Sequence, residues 1–208
     1  MFTRSKHTAP GAIALLAAIL STAGLGIAPP MSDQTSTVFD PAGDTNYHNT
    51  PAFQDIVRAQ VTKTAGGDFH LLMEMAGSVP INPPLPPPGV REIWWQWGFD
   101  FDPTAFPAGY PYPGPGFRAE FLAYVSWDGT EFAGILIDRR PLLTGGEAII
   151  TSVPISIDGT IVEAVLDNEL LGDVPPSFVW GPATRDWAGP VGSNGNSSLD
   201  DAITIFNP

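Results

Sequence analysis

The chain contains no cysteine. That excludes a disulfide framework, a thiol nucleophile, and a zinc or iron–sulfur centre held by thiolates. Basic residues are scarce as well: 9 Lys and Arg stand against 22 Asp and Glu, giving a formal net charge of -13 over 208 residues. Phosphate-backbone binding needs clustered Lys and Arg, so nucleic acid is excluded as a partner. Charged residues make up only 15% and hydrophobic ones 43%, too apolar a balance for a disordered chain and enough for a core. Long helical stretches are lacking because 23 Pro and 22 Gly, both helix breakers, run through the sequence.

Only one long apolar run exists. Residues 1–10 carry Arg4, Lys6 and His7 and no acid, residues 11–28 are uncharged, and small residues follow at Gly24, Gly26 and Ala28. This order predicts a secretory signal peptide over 1–28, a short linker over 29–36 and one domain over 37–208. The expected location is therefore extracellular or periplasmic. Left uncleaved, the same run would hold the chain at a membrane, although eighteen residues are short for a span of about 20. No Cys follows it to carry a lipid. Cleavage takes Arg4 and Lys6 away, leaving 180 residues with net charge -15. A secreted chain of that length without cysteine depends on burial, or on a metal, for its stability.

The rest of the chain alternates with period two. In 90–101, Ile93, Trp95, Trp97, Phe99 and Phe101 fall on one face, and Glu92, Trp94, Gln96 and Asp100 on the other. In 117–127, Phe117, Ala119, Phe121, Ala123 and Val125 share a face opposite Arg118, Glu120 and Tyr124. In 68–76, Phe69, Leu71, Met73 and Met75 alternate with His70 and Glu74. Weaker strands are expected at 55–63, 130–138, 147–153, 155–166, 176–181 and 201–206. Asp128-Gly129 and Asp158-Gly159 are turn signals between strands, and Leu166–Leu171, ending at Gly172, is the one short helical piece. Many strands, turns between them and almost no helix predict an all-β fold, an antiparallel sandwich of jelly-roll type. Two proline-rich stretches, 80–89 and 103–116, flank the tryptophan strand and read as long stiff loops.

Thr37-Val38-Phe39-Asp40-Pro41-Ala42-Gly43-Asp44 precedes Pro51-Ala52-Phe53-Gln54-Asp55-Ile56-Val57. This opening, a D-P-x-G-D followed by an Asp-Ile pair entering a strand, resembles secreted β-sandwich modules of the family-9 carbohydrate-binding and DOMON-like type. The resemblance implies a jelly-roll-like sandwich that binds a ligand without catalysis, with aromatic rings on a sugar and calcium as support in the sugar-binding members. Some DOMON-like domains hold haem through Met and His. Here His70 and Met73 lie on opposite strand faces, which disfavours that use.

Three constellations carry candidate chemistry. Asp40, Asp44 and Asp55, gathered around Gly43, would supply part of the oxygen shell that calcium needs; the same residues beside Pro and Gly also make ordinary turns. The outward face of the tryptophan strand assembles Trp94, Gln96, Glu92, Arg118, Glu120 and Tyr124. A sugar stacks its CH face on an exposed ring and bonds its hydroxyls to such polar neighbours; covered by a loop, Trp94 becomes a small second core instead. Asp100 and Asp102, with Glu120 or Glu131, would form the carboxylate pair of a glycoside hydrolase if suitably spaced. Beyond residue 28 the only histidines are His48 and His70, and no G-x-S-x-G occurs. The expected function is a secreted, non-catalytic ligand-binding module, with a polysaccharide or cell-surface glycan as partner and calcium as its one expected cofactor. The alternatives are an extracellular structural or adhesive domain and, third, a glycoside hydrolase.

Overall fold

The computed structural model describes residues 32–45, 50–85, 89–105, 118–187, 196–201 and 204–206. The signal segment, His48, and most of 103–116 lie outside the described residues, so the second proline-rich stretch is described only at its start. The described strands are β1 (Gln34–Phe39), β2 (Ile56–Lys63), β3 (Phe69–Met75), β4 (Glu92–Asp100), β5 (Phe121–Trp127) and β6 (Phe132–Asp138). They continue as β7 (Ile149–Ser152), β8 (Ile155–Asp158), β9 (Ile161–Leu166), β10 (Phe178–Trp187), β11 (Asn196–Asp201) and β12 (Thr204–Phe206). One four-residue helix, α1 (Asn168–Leu171), follows β9, its first turn capped by Asp167 accepting from the Glu169 N–H.

The strands form two antiparallel sheets. One has five strands in the order β1-β2-β3-β9-β8; the other has seven, β11-β10-β4-β5-β6-β7 with β12 also on β10. All pairings are antiparallel, and the fold is the all-β sandwich that the alternation predicts. Its interior is one cluster. Val61, Phe69, Leu71 and Met73 of the smaller sheet meet Trp95, Trp97, Phe99 and Phe121 of the larger. Fully burying one such side chain contributes about 1.5–3 kcal/mol. Met73 points into this core while His70 is exposed on the outside, as their alternation requires.

Three details depart from the periodicity. First, β1 runs through the expected linker boundary at 36, because Ser36 accepts a 3.0 Å hydrogen bond from the Trp180 indole. Second, β5 begins at Phe121, not 117. Ala119 does not share the core side of Phe121 but packs with Ala183, Leu122 and Val179. Third, β10 continues through Pro182 to Trp187. On one side, among the described residues, β12 pairs with Phe178–Trp180 and β11 with Ala183–Trp187. Within β10, Pro182 stands opposite Trp97 of β4.

The chain changes sheets between β7 and β8, and the crossing segment passes over β6. Val153 N–H donates to the Gly134 carbonyl at 3.0 Å. A Cβ at Gly134 would collide with the Ile155 side chain and the Val153 carbonyl. Gly134→Ala is therefore expected to destabilise the domain by about 1–3 kcal/mol, by overpacking a rigid crossing. Urea denaturation checks this: the midpoint falls while the slope stays that of the parent.

Candidate functional site

On the outer side of the seven-stranded sheet, Trp94 occupies the centre of a stack of three rings. Its ring lies 4.8 Å from Tyr124 at 22° and 5.7 Å from Trp187 at 18°. Register explains the stack. Trp94 opposes Arg185 on β10 and Ser126 on β5, so Trp187 and Tyr124 are its diagonal neighbours on either side. Diagonal neighbours are within reach of aromatic side chains. The Trp94 indole donates to Glu92 at 2.7 Å, and burial, then Glu92, push the Tyr124 phenol up to about 12. Both faces of Trp94 are thus taken by protein rings, and a sugar has no ring face left to stack on there. Gln96 lies on the same face and is only 2% exposed. Trp187 was invisible as a partner in the sequence, where it lies 93 positions beyond Trp94.

Arg118 and Glu120 do not extend this face, since they precede the first residue of β5. Glu120 turns its carboxylate onto the end of β4, accepting from the Phe101 and Asp102 N–H groups at 2.7 and 2.9 Å. Asp100 accepts from the Arg118 N–H at 3.0 Å. Both carboxyls are buried, at 3% and 1% exposure. Burial is the main cause that raises each above the usual carboxylate range; Asp102 raises Asp100 further, and Asp100 raises Glu120. Asp102 is different. It is exposed, holds the Thr104 hydroxyl and N–H, and is lowered by those bonds. Glu131 is exposed at the Asp128 turn, where its N–H donates to Asp128. These carboxylates cap backbone at a strand end and a turn.

The Asp40–Asp55 region is likewise organised by backbone bonds. Asp55 accepts from the Gly43 N–H at 2.9 Å, the Asp40 N–H donates to the Val57 carbonyl at 3.1 Å, and Asp44 is exposed. Gly43 takes a left-handed φ of 85° in this turn. Among the described residues, no three His, Asp or Glu side chains form a group that could hold a metal ion.

The other sheet carries a concavity. A groove of about 380 Å³ lies on the outer side of the five-stranded sheet. Two parallel rows of outward side chains build it. The first is Gln60, Leu72, Glu163 and Ser156, directly opposite one another on β2, β3, β9 and β8. The second is Thr62, His70 and Val165, followed by Pro154, whose carbonyl accepts from the Val165 N–H. Neighbours in such a row stand about 5 Å apart. Leu72 and Val165 form an apolar floor between polar groups. Glu163 accepts from the Ser156 hydroxyl at 2.6 Å, and Gln60 donates to the Thr62 hydroxyl, which also bonds Thr35 at 3.0 Å. Asp33 closes one end, and among the described residues no Lys or Arg lines the groove. The signal for this site was present as the polar phase of β2, β3 and β9. With no tryptophan in it, it gave no reason to prefer it.

The pH dependence of the Asp100 cluster is testable. A carboxyl raised in the folded state adds stability that is complete below its ordinary value, 3.8 for Asp100, and lost as pH rises through the raised value. Asp100→Asn keeps an oxygen for the Arg118 N–H and removes the charge. It should melt above the parent at pH 7, by about 2–4 °C per kcal/mol relieved, and the difference should shrink as pH falls toward 4. A gain independent of pH would contradict the role of burial.

No family model matches the chain, and no curated protein or solved structure matches it.

Proposed function

We propose that the protein is a secreted, non-catalytic β-sandwich module that binds a neutral carbohydrate on the open side of its five-stranded sheet. The groove across β2, β3, β9 and β8 carries this reading: hydroxyl, amide, imidazole and carboxylate groups ring an apolar floor. That combination suits a polyhydroxylated ligand, whose hydroxyls both donate and accept while its CH surfaces lie on Leu72 and Val165. Glu163 is the strongest acceptor. With one oxygen held by Ser156, the other is available to ligand hydroxyls, and a bond to a charged group is worth more than one to a neutral group. The Asp33 and Glu163 carboxylates, in a chain of net charge -13, oppose anionic sugars.

The signal-like amino terminus and the resemblance of 40–57 to carbohydrate-binding modules support the same reading. The structural alternative, a domain without a small ligand, draws its support from the other sheet, where the rings of Trp187, Trp94 and Tyr124 stack on one another.

Affinity electrophoresis through gels containing soluble xylan, mannan, β-glucan or alginate tests the proposal. At least one neutral glycan should retard the protein, and alginate should not. Glu163→Ala should weaken retardation by about tenfold or more with an unchanged melting temperature. A parent that no glycan retards would overturn the reading in favour of the structural alternative.

A further inference from the structure

We infer that Phe39 is the stacking ring of this binding face and that the ligand is an oligosaccharide chain spanning several strands. The inference rests on the carbohydrate reading of the groove. Phe39 ends β1, the outermost strand of the five-stranded sheet, and is 75% exposed. Among the exposed large hydrophobic residues of the described chain it is the one aromatic; the others are Ile81, Leu143, Ile149 and Ile150. Alternation puts Val38 against the core and Phe39 on the outer side, the side that carries the groove.

Register then defines a third row parallel to the two that build the groove. Phe39 opposes Arg58, Arg58 opposes Glu74, Glu74 opposes Ile161, and Ile161 opposes Asp158. Arg58 and Glu74 bond at 2.9 Å and are both partly exposed, so polar partners for hydroxyls stand beside the ring in a fixed arrangement. This row lies two residues along the strands from the Gln60 row, about 6.7 Å away. Thr37, between Phe39 and Thr35 on the outer side of β1, faces Gln60 and joins the two regions.

The distance sets the size of the ligand. From β1 to β9 the sheet spans three inter-strand gaps of about 4.8 Å, about 14 Å in all. One sugar ring cannot touch both Phe39 and Glu163, whereas a chain of several can. Its CH face would lie on the Phe39 ring while hydroxyls further along meet Gln60 and Glu163. An exposed phenylalanine on a sheet edge gains nothing for the fold by burial, so its removal separates binding from stability.

The test uses the full chain with Phe39→Ala and Phe39→Trp in the xylan, mannan and β-glucan gels, and then with mono- to hexasaccharides from whichever glycan retards the parent. Phe39→Ala should bind about 2- to 12-fold more weakly with the parent's melting temperature. Phe39→Trp should bind at least as tightly as the parent, and affinity should rise from mono- to tetrasaccharide. Unchanged affinity in Phe39→Ala, or a monosaccharide bound as well as a hexasaccharide, would overturn the inference. If Glu163→Ala nonetheless weakens binding, the groove reading survives without Phe39. If no gel retards the parent, both fall together.

Discussion

Three indole N–H groups of the sandwich each need an acceptor, and each takes it from a segment outside the pairing of its own strand. Trp95 donates to the Phe53 carbonyl at 2.9 Å, Trp127 to the Pro83 carbonyl at 2.9 Å, and Trp180 to the Ser36 hydroxyl at 3.0 Å. An unmet donor of this kind costs about 1–3 kcal/mol, so these three bonds favour loop paths that lie on the core, although the fully buried Trp97 indole N–H has no acceptor among the described residues. The first bond seats the turn Ala52–Gln54, whose Gln54 then donates to Asp186 at 2.9 Å. The second holds the proline-rich stretch at Pro83. The third fixes β1 against the larger sheet, and with β1 come Thr35, Thr37 and Phe39 on the edge of the groove face. The edge of the proposed binding surface is thus tied to the opposite sheet as well as paired with β2 along the whole of β1.

The two outer sides answer differently to the same alternation. On the seven-stranded sheet the outward aromatics are close enough across strands to satisfy one another, and Glu92 takes the Trp94 N–H. The result is a surface whose aromatic rings cover one another, while the Gln96 amide oxygen on the same face is buried without a hydrogen-bond partner among the described residues. On the five-stranded sheet the outward residues are shorter and mixed. Their internal bonds, Ser156 to Glu163 and Gln60 to Thr62, leave further donors and acceptors facing the groove. A surface with unspent hydrogen-bonding capacity above apolar floor residues is the better place for a ligand.

The strong acidity of the chain is also divided by position. Asp102 and Asp128 are exposed and lowered by the Thr104 and Thr130 groups they hold. Asp100, Glu120 and Asp186 are raised by burial, and the backbone or amide donors they accept from only partly offset it. The first kind caps turns at little cost. The second kind ties strand ends and the Gln54 turn to the sheet, and places carboxyl groups where water is scarce. Paired acids near a strand end suggest catalysis in a linear reading; here both Glu120 oxygens accept from the Phe101 and Asp102 N–H groups, one Asp100 oxygen accepts from the Arg118 N–H, and the other Asp100 oxygen is buried without a partner among the described residues.

Strand phase was readable along the chain because burial on one side of a sheet imposes period two on neighbouring residues. Ile93, Trp95, Trp97 and Phe99 inward, His70 outward of Met73, and turns at Asp128-Gly129 and Asp158-Gly159 all follow from local pattern. All of β1, Gln34–Phe39, escaped, since a polar edge strand has little hydrophobic pattern, and so did the run of β10 beyond residue 181 through Pro182 to Trp187, since proline reads as a strand end. The turn of Glu120 onto β4 escaped because a chain bend just before a strand resets its alternation. The candidate site was the least legible part. Gln60, Leu72, Glu163 and Ser156 become neighbours, as do Trp187, Trp94 and Tyr124, only through the order and register of strands. Those depend on long-range packing, and spacing along a single chain does not encode which strand lies beside which.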